Sequence, residues 1–203
     1  MYKIGITGGI GSGKTTVCKV FEVLGIPVFY ADTEAKNIMI KDAELIEGVK
    51  STFGKNSYFD DGILNNKHIA AIVFNSEIEL AKLNALVHPA VFRAFDAWAN
   101  EVKNNVPYTL KEAALLFESD SYKMCDTSIL VTAPMETKIN RVIQRDNVST
   151  EQVKARMSKQ MTDEDKAKMA EHFIVNDEEH SIIKQVLSLH KHFLQLASKV
   201  QTI

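Results

Sequence analysis

The chain holds only two cysteines, Cys18 and Cys125, among 203 residues. That excludes a disulfide scaffold and a cysteine-rich zinc site; Cys18, on an expected helix, reads as a buried neutral thiol. Long apolar runs are missing, and none reaches the ~20 residues a membrane helix needs. Neither sign of charge dominates: 24 Lys and Arg against 26 Asp and Glu give a formal net charge of −2. No global field therefore recruits nucleic acid or an anionic membrane, so phosphate binding has to come from local groups. Internal repeats and low-complexity tracts are absent as well. What is present, 45% hydrophobic and 25% charged residues, is the composition of an ordinary globule. Its length allows one sizeable domain or a core with inserted subdomains.

The most informative stretch is Gly8-Gly9-Ile10-Gly11-Ser12-Gly13-Lys14-Thr15. It fits the phosphate-loop pattern G-x-x-x-x-G-K-[ST] without mismatch. Glycines let the backbone curl with N–H groups facing an anion, and the helix that follows adds its positive end. Lys14 can reach β- and γ-phosphates, and the Thr15 hydroxyl can ligate Mg²⁺. A glycine turn that binds nothing is the alternative, and context disfavours it. Residues 2–7 read as a strand, while Val17, Val20, Phe21 and Leu24 recur at helical spacing until Gly25 and Pro27. Residues 8–15 together with Thr16 are the nucleotide-binding candidates. The loop starts so near Met1 that no signal peptide is expected before it. The Asn147-Val148-Ser149 sequon then has no meaning, and a cytoplasmic chain is expected.

Further along, residues 26–30 suggest a second strand, after which Asp32 opens a helix to about Ile40. Residues 42–53 suggest another helix, ended by Gly54. From Asn65 to about Asn104 the pattern is helical, with breaks expected near Asn75-Ser76 and His88-Pro89. Strand character returns at residues 108–110 and 127–132. Pro134 can start a helix that carries Arg141 and Arg145. Ser149 and Gln152 form a capping-box pattern. Residues 150–170 are charged and short of large apolar groups, as in a mobile flap. Residues 173–176 read as a last strand and residues 182–200 as an amphipathic helix. Strands alternating with helices predict a parallel α/β sheet of about five strands, with ligands beyond the strand C-terminal ends. The loop, Asp32 and Glu118 all fall there.

A phosphate loop specifies a nucleotide and not a reaction. The switch motifs D-x-x-G and N-K-x-D are absent. The best apolar strand ends in Thr132-Ala133-Pro134, without the acidic residue that motor and transporter ATPases carry. These absences favour a small-molecule kinase. The residues alone leave open a nucleotide or nucleoside kinase and a nucleotide-binding module without phosphoryl transfer.

The motif wording goes further. The opening Ile4-to-Val17 segment, Val28-Phe29-Tyr30-Ala31-Asp32, Val87-His88-Pro89, Leu115-Leu116-Phe117-Glu118, residues 141–146 and residues 156–161 together resemble dephospho-coenzyme A kinases over nearly the whole chain. Departures are Tyr30 for an aspartate, Glu112 for Asp, Ala114 for Pro, Glu171-His172 for Ala-Asp, and Asp177 for Gly. The resemblance implies transfer of the ATP γ-phosphoryl to the ribose 3′-hydroxyl of dephospho-CoA. It also implies a nucleotide core (1–31, 106–148 and 171–203), a helical acceptor domain (32–105) and a lid (149–170). A chain of this size can work as a monomer or a weak homo-oligomer.

Asp32 is the general-base candidate; a carboxylate there also suits a helix N-cap. Lys14 is the second catalytic candidate. Arg141 and Arg145, four residues apart on one helix face, are expected toward adenine and phosphate, against the alternative of a solvated basic face. Arg156 is a lid candidate. His88 reads as an acceptor contact or as a histidine satisfying a helix break. Glu118 reads as an acceptor contact or as a partner of a loop amide. Thr15 is the direct Mg²⁺ ligand, with Asp32 or Glu112 acting through water.

Overall fold

The computed structural model describes residues 1–74 and 76–200, with the backbone alone at Val200. In chain order its elements are β1 (Tyr2–Thr7), α1 (Lys14–Val23), β2 (Val28–Tyr30), α2 (Ala31–Lys41), α3 (Ala43–Phe53), α4 (Asn66–Val73), α5 (Glu77–Val102), β3 (Tyr108–Glu112), β4 (Thr127–Thr132), α6 (Met135–Asp146), α7 (Thr150–Met157), α8 (Asp163–Ala167), β5 (His172–Val175) and α9 (Ile182–Val200). Short 3₁₀ turns lie at Lys55–Ser57 and Ser121–Met124. The chain forms two compact units. One is Met1–Tyr30 with the chain from Ala99 onward; the other is Ala31–Trp98.

The first unit carries a five-stranded sheet in the order β2-β3-β1-β4-β5, with every pair parallel. This is the α/β class the alternation of strands and helices predicts. Central strands in such a sheet are covered on both faces and so read as continuous apolar runs. Ile4 and Ile6 of β1, Leu110 of β3 and Ile129 and Val131 of β4 accordingly have no exposed surface. Val17, Cys18 and Phe21 recur along one face of α1, and Val186, Phe193 and Ala197 along one face of α9. Both faces join the same core. Tyr108 ties them together: its ring meets Phe21 edge-on at 6.5 Å and Phe193 at 5.7 Å, and its hydroxyl lies 2.6 Å from His190 Nδ1. Burial raises the thiol pKa of Cys18 and pushes that of Cys125 up to about 12.

The register places the functional end. Glu112, the last residue of β3, faces Tyr30 of β2 on one side and Ile6 of β1 on the other. β3 runs two residues further than the 108–110 core of its pattern. Lys111 and Glu112 are buried there despite their charge, which is why an apolar pattern stops short of them.

The second unit is almost entirely helical. Asp42 caps α3 by accepting from Leu45 N–H at 2.9 Å, and Asn65 caps α4 by accepting from His68 N–H. Gly54 ends α3 with φ +89°. The break expected at His88-Pro89 is absent, since α5 continues through Pro89. Proline removes one helical hydrogen bond. Here Val87, Ala90, Val91 and Phe95 on both sides of it are buried, and that packing holds the helix through the defect. The break expected at Asn75-Ser76 falls partly on Asn75, outside the described residues.

Phe21→Ala is expected to cost about 3–5 kcal/mol in urea unfolding, because it empties a site in the sheet–α1–α9 core. The exposed Val23→Ala on the same helix should change stability by less than about 0.5 kcal/mol.

Candidate active site

β1 delivers the chain at Thr7 into the glycine loop, and α1 starts at Lys14. Gly11 and Gly13 have φ of +81° and +90°, in the left-handed region that side chains avoid. Space excludes a side chain there too. A Cβ on Gly11 would lie 2.3 Å from the Lys138 carbonyl oxygen, and one on Gly13 would lie 2.0 Å from Asn176 Nδ2. The loop is therefore pressed directly onto α6 and the residue after β5. Lys14 Nζ donates to the Gly8 carbonyl at 2.9 Å and stands 3.8 Å from the Glu112 carboxylate. Thr15 and Thr16 are exposed at the first turn of α1.

Asn176 joins two parts of the site. Its Nδ2 donates to the Ser12 carbonyl at 2.7 Å, and its Oδ1 accepts from Arg141 Nη2 at 3.3 Å. Arg141 Nη1 and Ser12 Oγ are buried and find no hydrogen-bond partner among the described residues. Such groups mark a polar site with capacity to spare. On the opposite side Ile10 N–H donates to Gln160 Oε1 at 2.9 Å. Lys138, nearly buried, pairs with Asp163 at 2.7 Å beside Gly9. A cleft of about 570 Å³ opens there, lined by Gly9, Met135, Lys138, Met157, Gln160 and Asp163 among others.

A phosphate cradle at the carboxyl edge of a parallel sheet, with a half-buried guanidinium beside it, is the nucleotide half of a small-molecule kinase. The profile of one family, described as dephospho-CoA kinase, matches residues 2–181. The chain belongs to the dephospho-CoA kinase family. The dephospho-CoA kinase of Salinibacter ruber is 42% identical over 178 residues, covering 87% of this chain and 89% of that relative. The dephospho-CoA kinase of one Bacteroides fragilis strain is 37% identical over 187 residues, covering 92% and 90%. Among solved structures, dephospho-CoA kinase from Campylobacter jejuni superposes with a TM-score of 0.68 at 26% identity over 95% of this chain and 97% of its own. A shikimate kinase from Acinetobacter baumannii, at 16% identity and a TM-score of 0.52 over 96% and 94%, shares the fold alone.

Within this dephospho-CoA kinase family chain, the structure gathers some of the expected residues and separates others. Residues 8–16 and Arg141 come together. Arg145 does not join them: its guanidinium grips Asp146 at 2.7 and 3.1 Å, and Arg156 reaches the same carboxylate at 2.7 Å. Glu118 accepts from the Met161 amide at 2.8 Å and from Lys166 at 3.0 Å, so it does bond a loop amide. Asp32 is exposed and is the second residue of α2. It therefore lies inside the first turn and is not the N-cap. His88 lies within α5, its ring stacked on Phe92 at 6.3 Å. Asp32 and His88 both belong to the second unit.

Sequence reasoning missed Asn176, Lys138, Gln160 and Asp163. Two had a signal. Asn176 follows the last strand directly, the position where parallel sheets put ligand groups. Lys138 precedes Arg141 by three, hence on the same helix face. Residues 150–170 also bury more than their composition suggests. Val153 and Lys166 have no exposed surface, the lysine using its aliphatic stem as core.

Asn176→Ala leaves the Ser12 carbonyl and Arg141 without this partner. It is expected to cost about 1–3 kcal/mol in stability and to weaken ATP binding by at least about tenfold, read by denaturant unfolding and calorimetry. The Arg145 hydrogen bond, with Arg156 adding, lowers the Asp146 pKa to about 2. A depressed carboxylate contributes stability above its unfolded value and loses it as pH falls through the folded one. An NMR titration should put the Asp146 midpoint near 2, and Arg145→Ala should raise it.

Proposed function

We propose that this chain transfers the γ-phosphoryl of ATP to the ribose 3′-hydroxyl of dephospho-CoA, releasing ADP and coenzyme A, the last step of CoA biosynthesis. The observation that carries the reading is the family's phosphate loop in its working context: Gly11 and Gly13 in positive φ, with the half-buried Lys14 beside Glu112. In this role the N–H groups of Gly11 and of residues 13–15 hold the β- and γ-phosphates, while the Ile10 and Ser12 amides, bonded to Gln160 and to the Gly9 carbonyl, hold the loop's shape. Lys14 leaves the Gly8 carbonyl to neutralise charge on the transferring group. Arg141 lies flat against adenine, a task its planar guanidinium suits. Arg145 reaches phosphate only by giving up Asp146.

Asp32 is the base we assign. A ribose hydroxyl is a weak nucleophile, and a carboxylate within hydrogen-bond reach can accept its proton as the phosphoryl group moves. Its exposure and its place two residues past β2 support this. His88 is assigned to the acceptor, residues 32–105 to the acceptor-binding part, and residues 149–170 to a lid that excludes water as a competing acceptor.

Mg²⁺ fits the residues present. The exposed Thr15 hydroxyl at the start of α1 and the Glu112 carboxylate at the end of β3 are hard oxygen donors. So sparse a set leaves positions for phosphate and water, as this ion requires. Thr15 would hold it directly and Glu112 through water, and the bound ion would neutralise charge shared by the β- and γ-phosphates. Among the described residues no helix is long and apolar enough to cross a membrane.

ADP release with Mg²⁺-ATP should appear with dephospho-CoA and stay near background with nucleoside monophosphates and adenosine. Preference for a monophosphate would overturn the acceptor assignment. Asp32→Asn should keep ATP binding and lose about 10²–10⁴-fold in kcat; unchanged turnover would remove it as the base.

A further inference from the structure

The segment from Gln160 to Lys166 touches the phosphate loop and its support at several points, and one carboxylate organises them. Glu118 Oε1 takes both the Met161 amide at 2.8 Å and Lys166 Nζ at 3.0 Å. Lys166 is wholly buried, and its ammonium also donates to the Ala114 carbonyl at 2.7 Å. That same carbonyl accepts from Thr7 Oγ1 at 3.3 Å, and Thr7 is the last residue before the glycine loop. Gln160, adjacent to Met161, holds the Ile10 N–H. Asp163 pairs with Lys138, whose backbone lies against Gly11.

We infer that Glu118 is a positioning residue of the kinase. By fixing the Met161 amide and the buried Lys166, it sets the Gln160 carboxamide on the Ile10 N–H of the phosphate loop. It does so in place of a direct contact to the acceptor. The chemistry of the carboxylate favours this. One of its oxygens already satisfies two donors, one of them a charge with no access to water, and an ammonium so buried needs a paired anion. Ile10, the loop residue it controls through Gln160, directly precedes Gly11, whose N–H the kinase reading puts on the transferring phosphate. Misplacing such a group by about 1 Å costs on the order of 10²-fold in rate.

The inference rests on the kinase reading, and the two can fail separately. Wild-type turnover of dephospho-CoA tests the reading. Hydrogen exchange over residues 158–167, measured with no acceptor present, tests the latch. Glu118→Ala should speed exchange at Met161 and its neighbours by at least about tenfold. It should lower kcat by at least about tenfold while KM for dephospho-CoA moves less than about twofold. Gln160→Ala should lower kcat to a similar extent, and the double variant should be no worse than the poorer single one, because both act through one contact. Should Glu118→Ala not fold, Glu118→Gln, which leaves the buried Lys166 without its anion but still accepts from the Met161 amide, should lower kcat by a smaller factor with KM for dephospho-CoA again nearly unchanged. A rise of about fivefold or more in KM for dephospho-CoA with kcat retained would mark Glu118 as an acceptor contact and overturn the inference. So would losses that multiply in the double variant, or exchange rates left unchanged.

Discussion

A loop that turns its N–H groups toward an anion must turn its carbonyls the other way, and those carbonyls need donors of their own. The rest of the site depends on that constraint. The Gly8 carbonyl takes Lys14 Nζ, the Gly9 carbonyl takes the Ser12 amide, the Ser12 carbonyl takes Asn176, and the Gly13 carbonyl takes the amides of Thr16 and Val17. Apart from the Lys14 bond, which opens when Lys14 turns to phosphate, each of these closes a carbonyl within the protein, so the curl does not rely on its ligand. Preorganisation of this kind is what makes backbone dipoles effective against developing charge. It also explains why α6 and the end of β5 press so closely that Gly11 and Gly13 tolerate no side chain.

The sheet supplies the other half of the account. With β1 central, its carboxyl end is flanked by β3 and β4, and β5 lies beyond β4. Glycine loop, Glu112 and Asn176 then all leave the sheet at one edge. Residues from distant parts of the chain, such as Ser12 and Asn176 or Ile10 and Gln160, meet because parallel crossovers return every strand to that edge. The apolar residues of the strands and of helices α1 and α9 contribute no chemistry, but they fix where it happens.

Much of this was legible in the residues. Val17, Val20, Phe21 and Leu24 at helical spacing announced the apolar face of α1, where Val17 and Phe21 are buried and Val20 and Leu24 partly so. The loop pattern announced itself, and Ser149 with Gln152 forms the capping box its spacing predicts. What stayed hidden shares one physical cause: contacts made by polar side chains through tertiary structure leave no periodic trace. Lys111, Glu112, Lys138 and Lys166 are charged residues in buried places, and a hydrophobic pattern reads them as surface. Pro89 read as a break because local propensity ignores the packing that carries α5 through it. Arg145 and Arg141 share a helix face, yet the neighbouring Asp146 draws only Arg145 away.

The central claim is that residues 10–15 form a preorganised phosphate site. It is tested most directly by adding pyrophosphate to the ¹⁵N-labelled protein and following the backbone amides. The account predicts saturable shifts concentrated at Ile10 through Thr15 and their contact Asn176, and their loss in Gly13→Ala. Shifts centred elsewhere in the chain, with these amides unmoved, would contradict it.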